Sequence, residues 1–274
     1  MSFEHTPEQL FAQWPVQNAS SAVVTAQGGL WEYGDQSRTY PLASVTKLLA
    51  TYAALVAVEE GAISLEDPAG PQGSTVRHLL AHSAGYDFDT QKVRAAPGER
   101  RLYSNTDFEV LSAFITQATE IEFGEYARLA IFEPLGMDST DISASAAAGG
   151  ISSAHDLARF ARELLAPTLI DSSTMDEATT IQFPGIDGLV PGFGRHKPND
   201  WGLGFEIRSH KSPHWTAPSA NPKTFGHFGQ SGTFLWVDPV AQLACVALTD
   251  RPFGPWAAEV WPAFNESVLE TLAR

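Results

Sequence analysis

Apolar and polar positions along the chain change their spacing in three blocks. At the start, Thr6 before Pro7-Glu8 reads as an N-cap with Pro at the first helical position, predicting a short helix to about Trp14. Ser21 to Ala26 and Leu30 to Gly34 flank Gln27-Gly28-Gly29, a hairpin signal, and a third short strand is predicted to end near Leu42. The run from Ser44 to Glu60 has no Gly or Pro, is rich in Leu and Ala, and stops at Gly61, a natural residue just past a helix end. It predicts a helix buried on most sides.

From Leu65 to about Pro191 the spacing turns helical. Ser74 to His82, Thr106 to Thr119, Phe123 to Phe132 and Ala154 to Leu165 are the predicted helices, with Thr106 and Glu109 as a capping box. From Gly202 the pattern returns to strands in Gly202 to Ile207, Thr233 to Val237 and Leu243 to Thr249, before a closing helix over Pro255 to Ala273. Strands at both ends with helices between them predict an α/β (α+β) chain. In it, one sheet, built from residues 1–64 and 200–274, is interrupted by a helical insertion at 65–199 within a single domain, 1–274. Phe183 to Phe225 has no sustained period and is rich in Gly, Pro, Trp and His; a stretch that long reads as a lid or pocket wall, or as aromatics packing the insertion onto the body.

Composition narrows the partners. With 43% hydrophobic residues, 274 residues can bury a substantial core. A net charge of −15, from 17 basic and 32 acidic side chains, repels nucleic acid and anionic membrane surfaces, so neither is expected as a partner. The single cysteine, Cys245, lies in an apolar strand-like run and reads as a small buried hydrophobe; no disulfide can form within the chain. Met1 to Glu8 lacks a basic patch followed by an apolar segment, which predicts a soluble cytoplasmic protein without a leader.

Three short motifs carry the chemistry. Only one Lys stands three residues after a Ser, in Ser44-Val45-Thr46-Lys47, at the start of the predicted buried helix. That spacing brings amine and hydroxyl within reach on one helical turn, where the positive helix end favours an oxyanion. Alone it carries little weight, since chance supplies roughly one such pair in a chain of this length. Only one Tyr is followed two residues later by Asn, in Tyr103-Ser104-Asn105: a phenol for proton relay and a carboxamide for substrate hydrogen bonds. Only one His is followed two residues later by Gly, in His227-Phe228-Gly229, where an edge strand could present an imidazole and a backbone N–H near Gln230.

In this order the three motifs resemble those of the penicillin-recognising serine hydrolases, the superfamily of serine β-lactamases, D-alanyl-D-alanine carboxypeptidases and related esterases. Separations of 59 and 124 residues between their first positions suit its class C-like branch. Thr75 to Gly85, Ile131 to Met137, Gly149 to Leu157, Trp201 to Phe205 and Gly226 to Gly232 are similar to further landmarks of that branch. The resemblance implies an antiparallel sheet flanked by helices with a helical subdomain inserted. It makes Ser44 the acyl-accepting nucleophile, Lys47 its proton partner and Tyr103 a sharer of the base role that protonates the leaving group. Asn105 would orient the substrate, Gly229 belongs to the third motif, and the backbone N–H groups of Ser44 and Gln230 would form the oxyanion hole.

His227 stands where the resistance enzymes carry the Lys of Lys-Thr-Gly, and a neutral imidazole anchors a substrate carboxylate less well than an ammonium. Lys223-Thr224-Phe225 is no substitute, because Phe occupies the Gly position. Nor does the chain carry the Glu-x-x-Leu-Asn segment with which class A β-lactamases activate deacylating water. The favoured expectation is therefore a metal-free, cofactor-free hydrolase of small esters or amides, with the aromatic stretch from Phe193 to Trp215 lining an apolar pocket. A β-lactamase or D-alanyl-D-alanine carboxypeptidase stays open, as does a non-catalytic ligand-binding protein, and so does the choice of Lys47 or Tyr103 as base. Several other candidates are set aside. Ser83 in Ala81-His82-Ser83-Ala84-Gly85 lacks the strand before it that a nucleophile elbow needs. His78 and His82 read as structural, Asp156 as a helix-start residue, and His196, His210 and His214 as solvated loop residues rather than metal ligands.

Overall fold

The structure, a computed structural model, describes residues 6–273; residues 1–5, on which the leader expectation partly rests, lie outside the described residues. Ala19–Thr25 (β1) and Gly28–Tyr33 (β2) form the expected hairpin. Thr39–Pro41 (β3) pairs instead with Ile151–Ser153 (β4), and Gly188–Val190 (β5) pairs with Gly194–His196 (β6); none of β4, β5 and β6 stands out in the sequence, since three residues are too few to show a period. Glu206–Ile207 (β7), Phe225–Gly229 (β8), Thr233–Asp238 (β9) and Leu243–Thr249 (β10) complete a six-stranded antiparallel sheet, ordered β2-β1-β10-β9-β8-β7. Early and late chain meet where β1 pairs with β10, from Ala19 opposite Thr249 to Val24 opposite Ala244.

Because side chains alternate across a strand, β10 feeds two cores at once. Ala244, Val246 and Leu248 face one, while Leu243, Cys245 and Ala247 face the other. The first core packs against Thr46–Glu59 (α2) and Ala154–Leu165 (α7), whose Leu157, Phe160, Ala161 and Leu164 recur at helical spacing. The second is aromatic: Pro7–Phe11 (α1) brings Phe11, and Pro255–Leu272 (α9) brings Trp261 and Phe264 against Phe234 and Trp236 of β9. Each such fully buried side chain contributes roughly 1.5–3 kcal/mol. The protein is thus an antiparallel sheet flanked by helices. No helix among the described residues is long and apolar enough to cross a membrane.

Several elements depart from expectation for local reasons. The helix predicted from Ser44 begins as α2 only at Thr46, because Ala43 is left-handed (φ 46°) and Ala43–Val45 form a 3₁₀ turn. The helix predicted over Ser74 to His82 contracts to Val76–Leu80 (α3). Asn105–Thr119 (α4) is capped by Ser104, whose backbone is extended and whose hydroxyl accepts from the Asp107 N–H; Thr106 is already helical, so the Thr106–Glu109 capping box does not form. Phe123–Ala127 (α5) passes through a π-helical turn, Arg128–Phe132, into Glu133–Leu135 (α6), where Pro134 lacks the N–H that a continuing α-helix needs. Ser172–Ala178 (α8) is an unpredicted helix. The strand expected from Gly202 shrinks to Glu206–Ile207, since Gly204 is left-handed (φ 71°).

Candidate active site

Ser44 sits in the 3₁₀ turn just before α2, half-buried, and its position is fixed from three sides. The Leu42 N–H donates to the Gly150 carbonyl at 2.8 Å, and Thr233 Oγ1 donates to the Leu42 carbonyl at 2.9 Å. Strand β8 then passes so close that a Cβ on Gly229 would collide with the Leu42 carbonyl and lie 2.6 Å from Thr233 Oγ1. That explains the glycine of the third motif.

One turn on, Lys47 is fully buried with its amine among three acceptors: Asn105 Oδ1 at 2.7 Å, the Ala147 carbonyl at 2.8 Å and Ser44 Oγ at 3.4 Å. It also lies over the Tyr103 ring, 4.8 Å from its centroid. Burial lowers the amine to about 7, although the charges of Asp107, Glu109 and Asp89 pull it the other way. Lys47 is therefore available as a neutral base near physiological pH. Burial also pushes the Tyr103 phenol above its ordinary value, with the nearby Ser44 hydroxyl opposing that shift; the phenol oxygen makes no hydrogen bond among the described residues.

Asn105 does not point free into a pocket. Its Oδ1 accepts from Lys47 and its Nδ2 donates to Asp89 Oδ1 at 2.8 Å, so the amide links the lysine to an outer carboxylate. His227, on β8, is buried with Nδ1 2.7 Å from the Phe228 carbonyl oxygen. A carbonyl only accepts, so Nδ1 carries the hydrogen and Nε2 is a bare acceptor, without a partner among the described residues. Burial, reinforced by the Lys47 charge, lowers His227 to about 3 and keeps it neutral. Beyond Gly226, β8 has no strand partner on its β7 side among the described residues, because β7 pairs only as Glu206 opposite Gly226 and Ile207 opposite Phe225.

Ser44, Tyr103, His227 and Gln230 line one cavity of about 60 Å³, closed by Phe88, Trp201 and Phe228. A larger cleft, about 970 Å³, lies elsewhere between α4, α5 and the 140–146 loop and is lined by none of the motif residues. The aromatic stretch divides its labour: Trp201 lines the small cavity, whereas Phe193 and Trp215 belong to the aromatic core and Phe205 to the other core. The expectation that the whole stretch walls a pocket is corrected accordingly.

Sequence reasoning missed a buried charge cluster beside this cavity. Glu206 accepts from Lys211 Nζ at 3.0 Å and Trp215 Nε1 at 2.7 Å, and His214 Nε2 lies 3.1 Å from it. Its carboxyl is held well below the ordinary range, the Lys211 and His214 charges outweighing the effect of burial. His214 and His196 are thus buried rather than solvated, while His210 is exposed as expected. No local pattern marks Glu206, because its partners come from a loop that folds back on β7. Behind Tyr103, His82 is fully buried, its ring 4.5 Å from the phenol ring and its Nδ1 3.2 Å from both Asp107 Oδ2 and the Ser104 N–H. Burial drives His82 down, reinforced by the Lys47 charge, and drives Asp107 up against the opposing Lys47 charge; both side chains are wholly enclosed, which fits a structural role. Asp156, in the first turn of α7, accepts from the Ser139 N–H and from Thr140 Oγ1.

A sheet flanked by helices, with a serine and a buried lysine at the start of the central helix, places the protein among the penicillin-recognising serine hydrolases. The chain belongs to the family described as Beta-lactamase, whose sequence model matches residues 21–270. It is similar to a crystal structure described as a β-lactamase from Mycobacterium bovis, with 51% identity and a TM-score of 0.95 over 97% of this chain and 98% of that one. The octameric penicillin-binding protein homologue from Pyrococcus abyssi shares the fold at 20% identity, with a TM-score of 0.75 over 97% of this chain and 75% of that chain. A protein of Salmonella enteritidis PT4 provisionally named as a D-alanyl-D-alanine carboxypeptidase is 24% identical over 259 residues, covering 74% of this chain. The chain spans 57% of that relative's length.

Proposed function

We propose that the protein hydrolyses small carboxylic esters or amides through an acyl-enzyme on Ser44. The observation that carries this reading is the buried Lys47 amine, lowered to about 7 and 3.4 Å from Ser44 Oγ. Ser44 Oγ attacks the substrate carbonyl carbon while its proton passes to neutral Lys47. The carbonyl electron pair moves onto oxygen, received by the backbone N–H groups of Ser44 and Gln230 at the positive end of α2. Collapse of this intermediate expels the alkoxide or amine, which takes a proton delivered through Tyr103. Water, deprotonated by the same base, then attacks the acyl carbon and returns Ser44 with its proton. Because burial raises the Tyr103 phenol, Lys47 is the better first proton acceptor of the two. Asn105 acts first by holding the amine in place, and its second Nδ2 hydrogen is left for substrate.

Two observations favour small, neutral reacting groups. The cavity at Ser44 is about 60 Å³, well below the several hundred Å³ of drug-sized sites. Neutral His227 offers a lone pair rather than a positive charge to whatever enters. A β-lactamase reading is kept alive by the 51% identical relative described as one. Turnover of p-nitrophenyl acetate beside a chromogenic cephalosporin separates the two: ester turnover exceeding cephalosporin turnover by tenfold or more is expected, and the reverse order overturns the ester reading. Intact-mass spectrometry with a fluorophosphonate should find one adduct, on Ser44, that is lost in Ser44→Ala; complete absence of labelling returns the protein to a ligand-binding role.

A further inference from the structure

A second cavity of about 350 Å³ adjoins the catalytic one and shares Phe88, Tyr103, Leu189 and Pro191 with it. Its walls are unlike the rest of this acidic protein. Arg94, Arg100, Arg101 and Arg195 line it against only Asp87 and Asp187, so four of the chain's 17 basic side chains gather here while the whole carries −15. Arg94 pairs with Asp87 at 2.6 Å, and Arg195 pairs with Asp187. Arg100 is exposed and makes no ion pair among the described residues.

Arg101 is the most informative of the four. It is 2% exposed, and its guanidinium donates to the carbonyls of Ala81, Gln182 and Asn199 with no carboxylate in ion-pair range among the described residues. Burial lowers it only to about 10, so it stays charged at neutral pH. Its donors point inward, and it acts on the cavity through its field. The Asp200 carboxylate offsets part of its charge from beyond ion-pair range and the three carbonyls satisfy its donors, so a positive field is left to act on the cavity. The exposed Arg–Asp pairs above it contribute little to stability, so folding alone does not account for them.

We propose that this cavity binds a carboxylate on the far end of the substrate, several atoms from the carbonyl attacked by Ser44. The inference rests on the reading of Ser44 as nucleophile. It also relieves His227 of any duty as carboxylate anchor, since the positive charge has moved to the other side of Tyr103. Exposed Arg100 and Arg195 supply the direct contacts, and Arg101 supplies the field beneath them.

The test uses two pairs of esters. One pair puts the charge on the acyl side, mono-p-nitrophenyl glutarate beside p-nitrophenyl pentanoate; the other puts it on the leaving group, 4-acetoxybenzoate beside phenyl acetate. In one pair the charged member should show about tenfold higher kcat/KM, an advantage that shrinks about tenfold in Arg100→Gln/Arg195→Gln and with added salt, while the neutral member changes less than twofold. Which pair responds tells which half of the substrate enters the cavity. No charged preference in either pair, or one that survives both substitutions, overturns the anion site even if Ser44 is still labelled. If Ser44 is not labelled at all, the hydrolase reading fails separately, and glutarate binding to the unmodified protein by calorimetry decides the site. Binding lost in Arg100→Gln/Arg195→Gln supports it; absent or unchanged binding overturns it.

Discussion

Lys47 Nζ lies 2.7 Å from Asn105 Oδ1 but 3.4 Å from Ser44 Oγ, so the amine is held by the amide and only approached by the hydroxyl. On the proposed mechanism, the asymmetry gives Asn105 a positioning duty. Asn105→Ala removes an acceptor that favours the ammonium, so the midpoint for acylation should move below that of the parent protein. Its limiting acylation rate should fall about tenfold from lost alignment. Stopped-flow acylation across pH measures both; an unchanged midpoint and rate would refute the role.

With Lys47 at about 7, the neutral form that the proposed mechanism needs to accept the Ser44 proton grows as pH rises through that value. Acylation should therefore climb between about pH 6 and pH 8 and then level off. A rate that instead falls over this range would mean the ammonium is the working form. Lys47→Ala should lower acylation by about 10²-fold or more at every pH and abolish the midpoint.

Gly229→Ala places a methyl group against the Leu42 carbonyl and Thr233 Oγ1. The strand or the 3₁₀ turn must shift, costing about 1–3 kcal/mol. Ser44 rides on that turn, so fluorophosphonate labelling should slow at least tenfold. Thermal unfolding and labelling, measured together, check the two effects.

His227→Lys puts a second amine near Lys47, whose charge already weighs on the imidazole. Like-charge repulsion should lower the acylation midpoint further, and the new ammonium should raise fluorescent-penicillin labelling relative to ester turnover. Equal labelling in both proteins would show that the third-motif residue does not select for carboxylates.

Glu206→Gln leaves Lys211 buried with its counter-charge removed, although the Asp200 and Ile207 carbonyls still accept from it. The expected loss is about 3–5 kcal/mol of stability, read by denaturant titration. A loss below about 1 kcal/mol would mean the cluster is better hydrated than its burial indicates.

Much of this was legible in the sequence because it is local. The short apolar runs of β9 and β10, the helical spacing of α7 and the three motifs each signal within a dozen residues or fewer. What escaped is non-local or set by a single backbone angle. Left-handed Ala43 delays α2, Ser104 takes the cap predicted for Thr106, and Glu206 finds Lys211, His214 and Trp215 across a loop. Asn105 is singled out by its motif, but its bond to Asp89 is not legible, since the Asp89 segment becomes its neighbour only in the folded chain.

The turn that carries Ser44 is held by Gly150, Gly229 and Thr233, residues more than 100 positions away along the chain, and its left-handed Ala43 would relax without them. Fluorophosphonate labelling of Ser44 should for that reason report complete assembly. A proteolytic fragment lacking the last strands should lose that labelling, and on refolding, labelling should return no sooner than the long-range pairing of the sheet.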